Sequence, residues 1–355
     1  METVSLDFNI ELIKNSRIDQ VDWDDIGFGK VYSDHMFIAD YIDGQWTNCK
    51  ILPFQDMPVS PATAVIHYGQ SIFEGMKAYL GPEDKPRLFR PHKNLDRFNL
   101  SARRMGMPEI PEDIFIKAVE DIVTIDKSWI PKKAGSSLYI RPFMCATDRF
   151  IGVKPADTFR FFIITCPVDA YYSKPVNVLI ADEYVRAFKG GVGEAKTAGN
   201  YAATMLPVIE AKKKGYDQIL WMDGIEFKYV QEIGTMNVFF VIDGKVLTPK
   251  LNGAILQGIT RDSVIQLLKD KNIPCEVRDI SIDEISQAYS EGKLEDAFGT
   301  GTAATIAHIS SFGYKDKIIK LPEIQDRTIS NNLKEELQMI KNGASSDIHN
   351  WIHNF

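Results

Sequence analysis

Three Asp-Gly dipeptides punctuate the chain, at Asp43-Gly44, Asp223-Gly224 and Asp243-Gly244, and each lies between apolar, β-prone runs. An Asp-Gly pair accepts positive φ at both central positions of a two-residue turn. Between two strand-like runs it therefore predicts an antiparallel hairpin. "HMFIADYIDGQWTNCKILP", "QILWMDGIEFKYVQEIG" and "NVFFVIDGKVLTP" all read this way. Strands that continue out of hairpins this often do not suit a simple βαβ wind, and the chain reads as a mixed α/β (α+β) protein.

Helical spacing fills the gaps. "NLDRFNLSARRM" and "DIFIKAVEDIVTIDKSW" have period 3.6, the second with Ile114, Ala118, Ile122 and Ile125 on one face. "NYAATMLPVIEAKKKG" reads as one helix stopped by Gly215, "TRDSVIQLLKDKN" as another, and Ser281 to Glu284 has the spacing of a capping box. "SLYIRPFMCA" and "TFRFFIITCPV" are apolar strands. A length of 355 residues suits two domains. "YSKPVN" has linker character, which predicts a smaller N-terminal α/β domain over 1–172, a linker over 173–184 and a larger β-rich C-terminal domain over 185–355.

Charge and cysteine usage narrow the function. Forty-one basic against 48 acidic residues leave a net charge of −7, which disfavours a nucleic-acid surface and points to small-molecule work. The opening stretch "METVSLDFNIELIK" carries Glu2, Asp7 and Glu11, so it fits neither a signal peptide nor an Arg-rich transit peptide. No apolar run is long enough to span a bilayer. Cys49, Cys145, Cys166 and Cys275 form no CxxC and read as unpaired, mostly buried thiols of a cytoplasmic protein. The histidines lack metal spacing, and the i,i+4 pair His349 and His353 has no accompanying HExxH glutamate, so no metal is expected.

The stretch "GGVGEAKTAGNYAA" sets a single lysine, Lys196, among glycines and alanines. Small neighbours let backbone approach a bound group closely. Two chemistries use a lysine so placed: a phosphate loop uses its charge, and an aldehyde cofactor uses its amine. Gly190 to Thr197 matches GxxxxGKT except for Ala195, but "EYVRAFK" separates the strand "NVLIA" from the glycines, and "TAGN" is poor helix. A phosphate loop joins strand to helix directly, so the context argues against an NTPase. "GTGTAA" imitates a dinucleotide fingerprint, yet a strand-like "TIAHISSFGY" follows where that fingerprint requires a helix. The aldehyde chemistry needs a phosphate site and an acid for the ring nitrogen. Arg97, the helix opening at "GITRDS", Thr302 and Glu232 are candidates for these parts.

The motifs "IHYGQSIFEGMKAY", "NLDRFNLSARRM", "SLYIRPF", "EYVRAFKGGVGEAKTAGNYAA", "QEIGTMNVFFV", "LQGITRDS" and "FGTGTAA" resemble, in order and spacing, the branched-chain amino-acid aminotransferases of pyridoxal-phosphate (PLP) fold-type IV. The resemblance implies a two-domain fold-type IV architecture, a homodimer, and amino transfer between leucine, isoleucine or valine and 2-oxoglutarate. It implies Lys196 as the Schiff-base lysine and proton carrier. Tyr201 is then the partner of the ring oxygen, Glu232 the partner of the ring nitrogen, and Leu256 a ring contact. Arg97, the backbone of Ile259 and Thr260, and the Thr302 hydroxyl hold the phosphate, and the turn at Thr302-Ala303 meets the substrate's α-carboxylate. Phe28, Phe73, Tyr139 and Tyr171 wall an apolar pocket, while Tyr68 and Arg141 meet the distal carboxylate of glutamate.

Two departures accompany the resemblance. Ala304 and Ala307 stand where mammalian relatives carry a redox-active CxxC, and Gln257 replaces a usual proline beside Leu256. A D-amino-acid aminotransferase or an aminodeoxychorismate lyase of the same fold would share Lys196 and Glu232, but neither is expected to combine "LYIRP" with this aromatic set.

Overall fold

The computed structural model describes residues 7–169 and 174–355. The chain forms two compact units. The first comprises Met1–Tyr171, Ala195–Ala198 and Met339–Phe355, and the second comprises Tyr172–Glu194 and Gly199–Gln338.

The first unit is built on a nine-stranded sheet. Its path runs Asn9–Ile10, Gln45–Pro53, His35–Ile42, Phe159–Val168, Ser137–Ala146, Met76–Leu80, Pro86–Phe89 and Ile352–Asn354, with Ser71–Phe73 paired to Ser137–Ala146. Helices Pro91–Arg104 and Glu112–Ile125 bury Leu95, Phe98, Ile114, Phe115, Ala118, Val119 and Ile122 in the same core as Leu138, Ile140, Met144, Phe161 and Ile163. Strand residues alternate between faces, so burial of 138, 140 and 144 against the helices turns Tyr139, Arg141 and Phe143 to the opposite face. That alternation sets up the candidate site.

The second unit is a sheet that closes on itself. Val230–Ile233, Gln218–Met222, Val176–Ile180, Thr305–Tyr314, Leu294–Gly301 and Met236–Ile242 pair in that order. Val230–Ile233 also pairs with Met236–Ile242, completing a ring, from which Lys245–Thr248 and Cys275–Val277 extend. Helices Ile259–Asp270 and Ile282–Ser290 lie outside it, and Ser281 Oγ accepts the Glu284 N–H at 3.1 Å as the capping box requires.

Several expectations change. The stretch expected as a linker contains the strand Val176–Ile180, paired on both sides within the second sheet. The C-terminal residues return to the first unit because Ile352–Asn354 pairs with Pro86–Phe89, and this makes the first unit the larger. Asp43-Gly44 and Asp243-Gly244 turn with positive φ at both residues, as expected. Asp223 instead opens a longer connection, because its carboxylate accepts N–H groups from Ile225, Glu226, Lys228 and Tyr229. The single helix expected before Gly215 is two, Ala198–Ala202 and Met205–Lys213. Pro207 has no N–H to donate and is tolerated only in a first turn, so the helix restarts just before it.

Candidate active site

Lys196 belongs to the first unit, where its backbone runs antiparallel beside the short strand Ser71–Phe73. The Phe73 N–H donates to the Lys196 carbonyl at 3.0 Å, and Thr197 Oγ1 donates to the Ser71 carbonyl at 2.7 Å. On the other side the Lys196 N–H donates to Ser101 Oγ at 2.9 Å, from a fully buried position on helix Pro91–Arg104. The side chain is half-buried, with Nζ 4.4 Å from the centroid of the Phe73 ring, inside cation–π range. A rigid backbone thus carries a flexible amine.

Beside it lies a charged cluster that the sequence reading missed. Glu74 is fully buried and receives Arg97 through Nε at 2.6 Å and Nη2 at 2.9 Å, Asn94 Nδ2 at 2.7 Å and the Gly75 N–H at 3.0 Å. Burial alone pushes the Glu74 carboxyl up, but the Arg97 guanidinium, the Lys196 charge and these hydrogen bonds together hold it below the usual carboxylate range. Arg97 was expected as a phosphate ligand, yet two of its nitrogens are committed to Glu74. A carboxylate inside the apolar run "SIFEGM" was the available signal.

On the sheet face away from the helices, Tyr139 stacks edge-on with Phe28, their centroids 5.0 Å apart. Arg141 Nη2 donates to the Tyr139 hydroxyl at 3.0 Å, and its guanidinium carbon sits 4.6 Å from the Phe73 centroid and 5.3 Å from that of Tyr139. Arg141 Nε is buried and has no hydrogen-bond partner among the described residues. Gly75 makes this arrangement possible, since a Cβ there would collide with the Tyr139 hydroxyl. Tyr68 was expected to act with Arg141. It ends the short helix Ala64–Tyr68 at 43% exposure, and the hydroxyl that Arg141 meets is that of Tyr139. Tyr171 lies outside the described residues.

In the second unit Glu232 is buried on the strand Val230–Ile233. Its Oε1 accepts Asn237 Nδ2 at 3.1 Å and the Leu256 N–H at 3.2 Å, and its Oε2 lies 2.5 Å from Arg186 Nη2. Asn237 Nδ2 also donates to the Leu256 carbonyl at 2.9 Å, so the backbone of Leu256 is fixed although Gln257 follows it. Asn237 is opposite Glu232 in register, and Thr300, opposite Asn237, has a buried hydroxyl with no partner among the described residues. Ile259 and Thr260 form the first turn of helix Ile259–Asp270, whose N-cap is Gly258. Thr302, Ala303 and Ala304 make the turn between the strands Leu294–Gly301 and Thr305–Tyr314. Tyr201 sits half-buried on helix Ala198–Ala202, next to Asn200, whose Nδ2 donates to the Val192 carbonyl at 2.8 Å.

The first unit therefore groups Lys196, Phe73, Arg97, Tyr139, Arg141 and Phe28. The second groups a buried carboxylate, a helix N-terminus and a backbone turn. Among the described residues no cluster of side chains could hold a metal ion, and no helix is long and apolar enough to cross a membrane.

Comparison with known proteins agrees with this chemistry. The profile of the family "Amino-transferase class IV" matches residues 71–312. Branched-chain-amino-acid aminotransferase 2 of Bacillus subtilis is 46% identical over 92% of this chain and 91% of its own length. Branched-chain-amino-acid transaminase 1 of the same organism is 44% identical over 92% of this chain and 93% of its own. Among solved structures, the branched-chain aminotransferase from Thermoproteus uzoniensis with norvaline superposes with a TM-score of 0.73 at 25% identity, covering 90% of this chain and 99% of that one. The T.th. branched-chain amino acid aminotransferase with pyridoxamine 5'-phosphate gives 0.72 at 25% identity, covering 89% and 98%. With its profile match running across both units and relatives this similar along nearly its whole length, the chain belongs to the class IV aminotransferases.

Proposed function

We propose that this chain is a PLP-dependent branched-chain amino-acid aminotransferase, exchanging an amino group between leucine, isoleucine or valine and 2-oxoglutarate. The observation that carries the reading is Arg141. A guanidinium whose buried Nε has no partner among the described residues stands in a wall of Phe73, Tyr139 and Phe28. Such a wall accepts an apolar side chain, and the guanidinium offers a partner to a carboxylate that could not enter an apolar pocket alone.

The donor set fits PLP. A buried carboxylate suits a protonated ring nitrogen, and the first turn at Ile259 and Thr260 suits a phosphate. The Thr300 hydroxyl, without a partner among the described residues and in register with Asn237, marks the same face as polar. When bound, PLP supplies an aldehyde that takes up the amino group and a ring that draws electrons from the substrate's α-carbon. Lys196 would hold the cofactor through Nζ and would move the substrate's α-proton, as general base and then acid. Glu232 would partner the ring nitrogen and Tyr201 the ring oxygen, and Leu256 would contact the ring. Thr302, Ile259, Thr260 and Arg97 would hold the phosphate, with Glu74 fixing the plane of the Arg97 guanidinium. The Thr302-Ala303 turn receives the α-carboxylate.

A homodimer in the cytoplasm completes the reading. Val59, Ile66, Tyr68, Ile151 and Val153 are each at least 43% exposed. They lie on two segments tied by the Ala64 N–H donating to the Asp148 carbonyl at 2.8 Å, and exposed apolar side chains of this kind are suited to burial against a second copy. The four cysteines carry free thiols, in keeping with a reducing compartment. The function is tested by a panel of L- and D-amino acids with 2-oxoglutarate as acceptor. Glutamate formation from leucine, isoleucine and valine is expected, and turnover restricted to D-amino acids refutes the proposal.

A further inference from the structure

One buried cation has no place in the chemistry above. Arg186 lies beyond the strand Val176–Ile180, and only 7% of its side chain is exposed. Its Nη2 lies 2.5 Å from Glu232 Oε2, and donates to the Ala254 carbonyl at 2.5 Å and the Gly193 carbonyl at 3.2 Å. One nitrogen thus joins the acid to two loops: the one that leads to Lys196 and the one that carries Leu256. Gly193 is what lets the loops approach, because a Cβ there would strike the Ala254 carbonyl and the Ala187 methyl. Arg261 also feels the Glu232 charge, but its Nη2 is committed to the Pro249 carbonyl at 3.0 Å.

The chemistry of Glu232 makes this contact consequential. To keep a ring nitrogen protonated, the carboxylate must be an anion and an acceptor. Burial favours the neutral acid, which would present a donor instead, and the two neutral donors on Oε1 do not offset the charge by themselves. The Arg186 charge sits on the second oxygen.

We infer that Arg186 is a positioning residue: it holds Glu232 as an anion and aims it at the cofactor's ring nitrogen. This rests on the assignment of Glu232 proposed above. The test measures dissociation constants of the full-length chain, stripped of cofactor, for PLP and for its 1-deaza analogue, in which a C–H replaces the ring nitrogen. The readout is binding, and the quantity of interest is the preference for PLP over the analogue.

Wild type is expected to prefer PLP by at least about tenfold, the scale of one charge-assisted hydrogen bond. Glu232→Gln and Arg186→Met are both expected to lose that preference. Arg186→Gln keeps a donor for the loop carbonyls and removes the charge, so it loses the preference too, and it decides the matter where Arg186→Met does not fold. A merely structural role weakens both ligands equally and leaves the preference intact, which overturns the inference. Loss of preference in Glu232→Gln but not in either Arg186 variant refutes the role of Arg186 alone. Retention of it in Glu232→Gln refutes the Glu232 assignment and the inference with it.

Discussion

Arg141→Met separates the two halves of the proposed reaction. The substitution keeps an unbranched side chain against Phe73 and Tyr139, and replaces cation–π contacts at 4.6 and 5.3 Å with thioether–aromatic ones of similar worth, ~0.5–1 kcal/mol each. It also removes the buried Nε that has no partner among the described residues. Fold stability is therefore expected to change by less than about 1 kcal/mol. The glutamate carboxylate, by contrast, loses a charged donor worth roughly 1.5–3 kcal/mol, and because Arg141 is half-buried the lower end applies. That is about a tenfold loss in single-turnover rate constant over dissociation constant for glutamate. Leucine makes only apolar contact with the wall, so its half-reaction is expected to change less than about threefold. Stopped-flow absorbance of the bound cofactor, with each amino acid supplied alone, measures both halves. Equal falls for leucine and glutamate mean that Arg141 maintains the architecture, and the specificity assignment fails.

Thiol chemistry and pH give two more expectations. Burial pushes the Cys145 and Cys166 thiols up to about 11, and Ala304 and Ala307 stand where mammalian relatives were expected to carry a CxxC. Mild peroxide is therefore expected to leave activity intact, and inactivation reversed by dithiothreitol would contradict this. His308 is held down to about 4 by burial, then by the Lys334 and Arg327 charges, against an ordinary 6.5. The unfolded chain binds that proton first, so its contribution to stability is present above pH 6.5 and is lost as pH falls from 6.5 towards 4. His308→Gln is expected to flatten this loss, read as the difference in urea midpoint between neutral and acid pH; an unchanged difference refutes the assignment.

Local chemistry was legible and distant pairing was not. The turns at Asp43-Gly44 and Asp243-Gly244 follow from two residues' own φ preferences, and the Ser281 capping box from a spacing of three. Asp223 resembled them, but its carboxylate gathered four backbone N–H groups and lengthened the loop, an outcome no dipeptide encodes. The family resemblance located Lys196 and Glu232 by motif. It was silent on what holds them, because Ser101 and Arg186 meet Lys196 and Glu232 only after the chain has folded. Arg97 illustrates this gap: the resemblance names it for the phosphate, and only the fold shows the buried Glu74 carboxylate that also engages it.

Lys196, proposed above as the reacting lysine, sits in a four-residue excursion, Ala195–Ala198, that the chain makes into the first unit from within the second. The two units are therefore interlaced along the sequence and cannot be separated by one cut. A fragment ending at the apparent boundary would lack Lys196. A fragment beginning there would carry it without the Phe73 N–H and the Ser101 hydroxyl that grip its backbone. Genetic recombination that exchanged whole units between relatives would likewise have to exchange this short stretch separately. Each half of such a protein is thus bound to the history of the other, and engineering by module exchange must treat the chain as one piece.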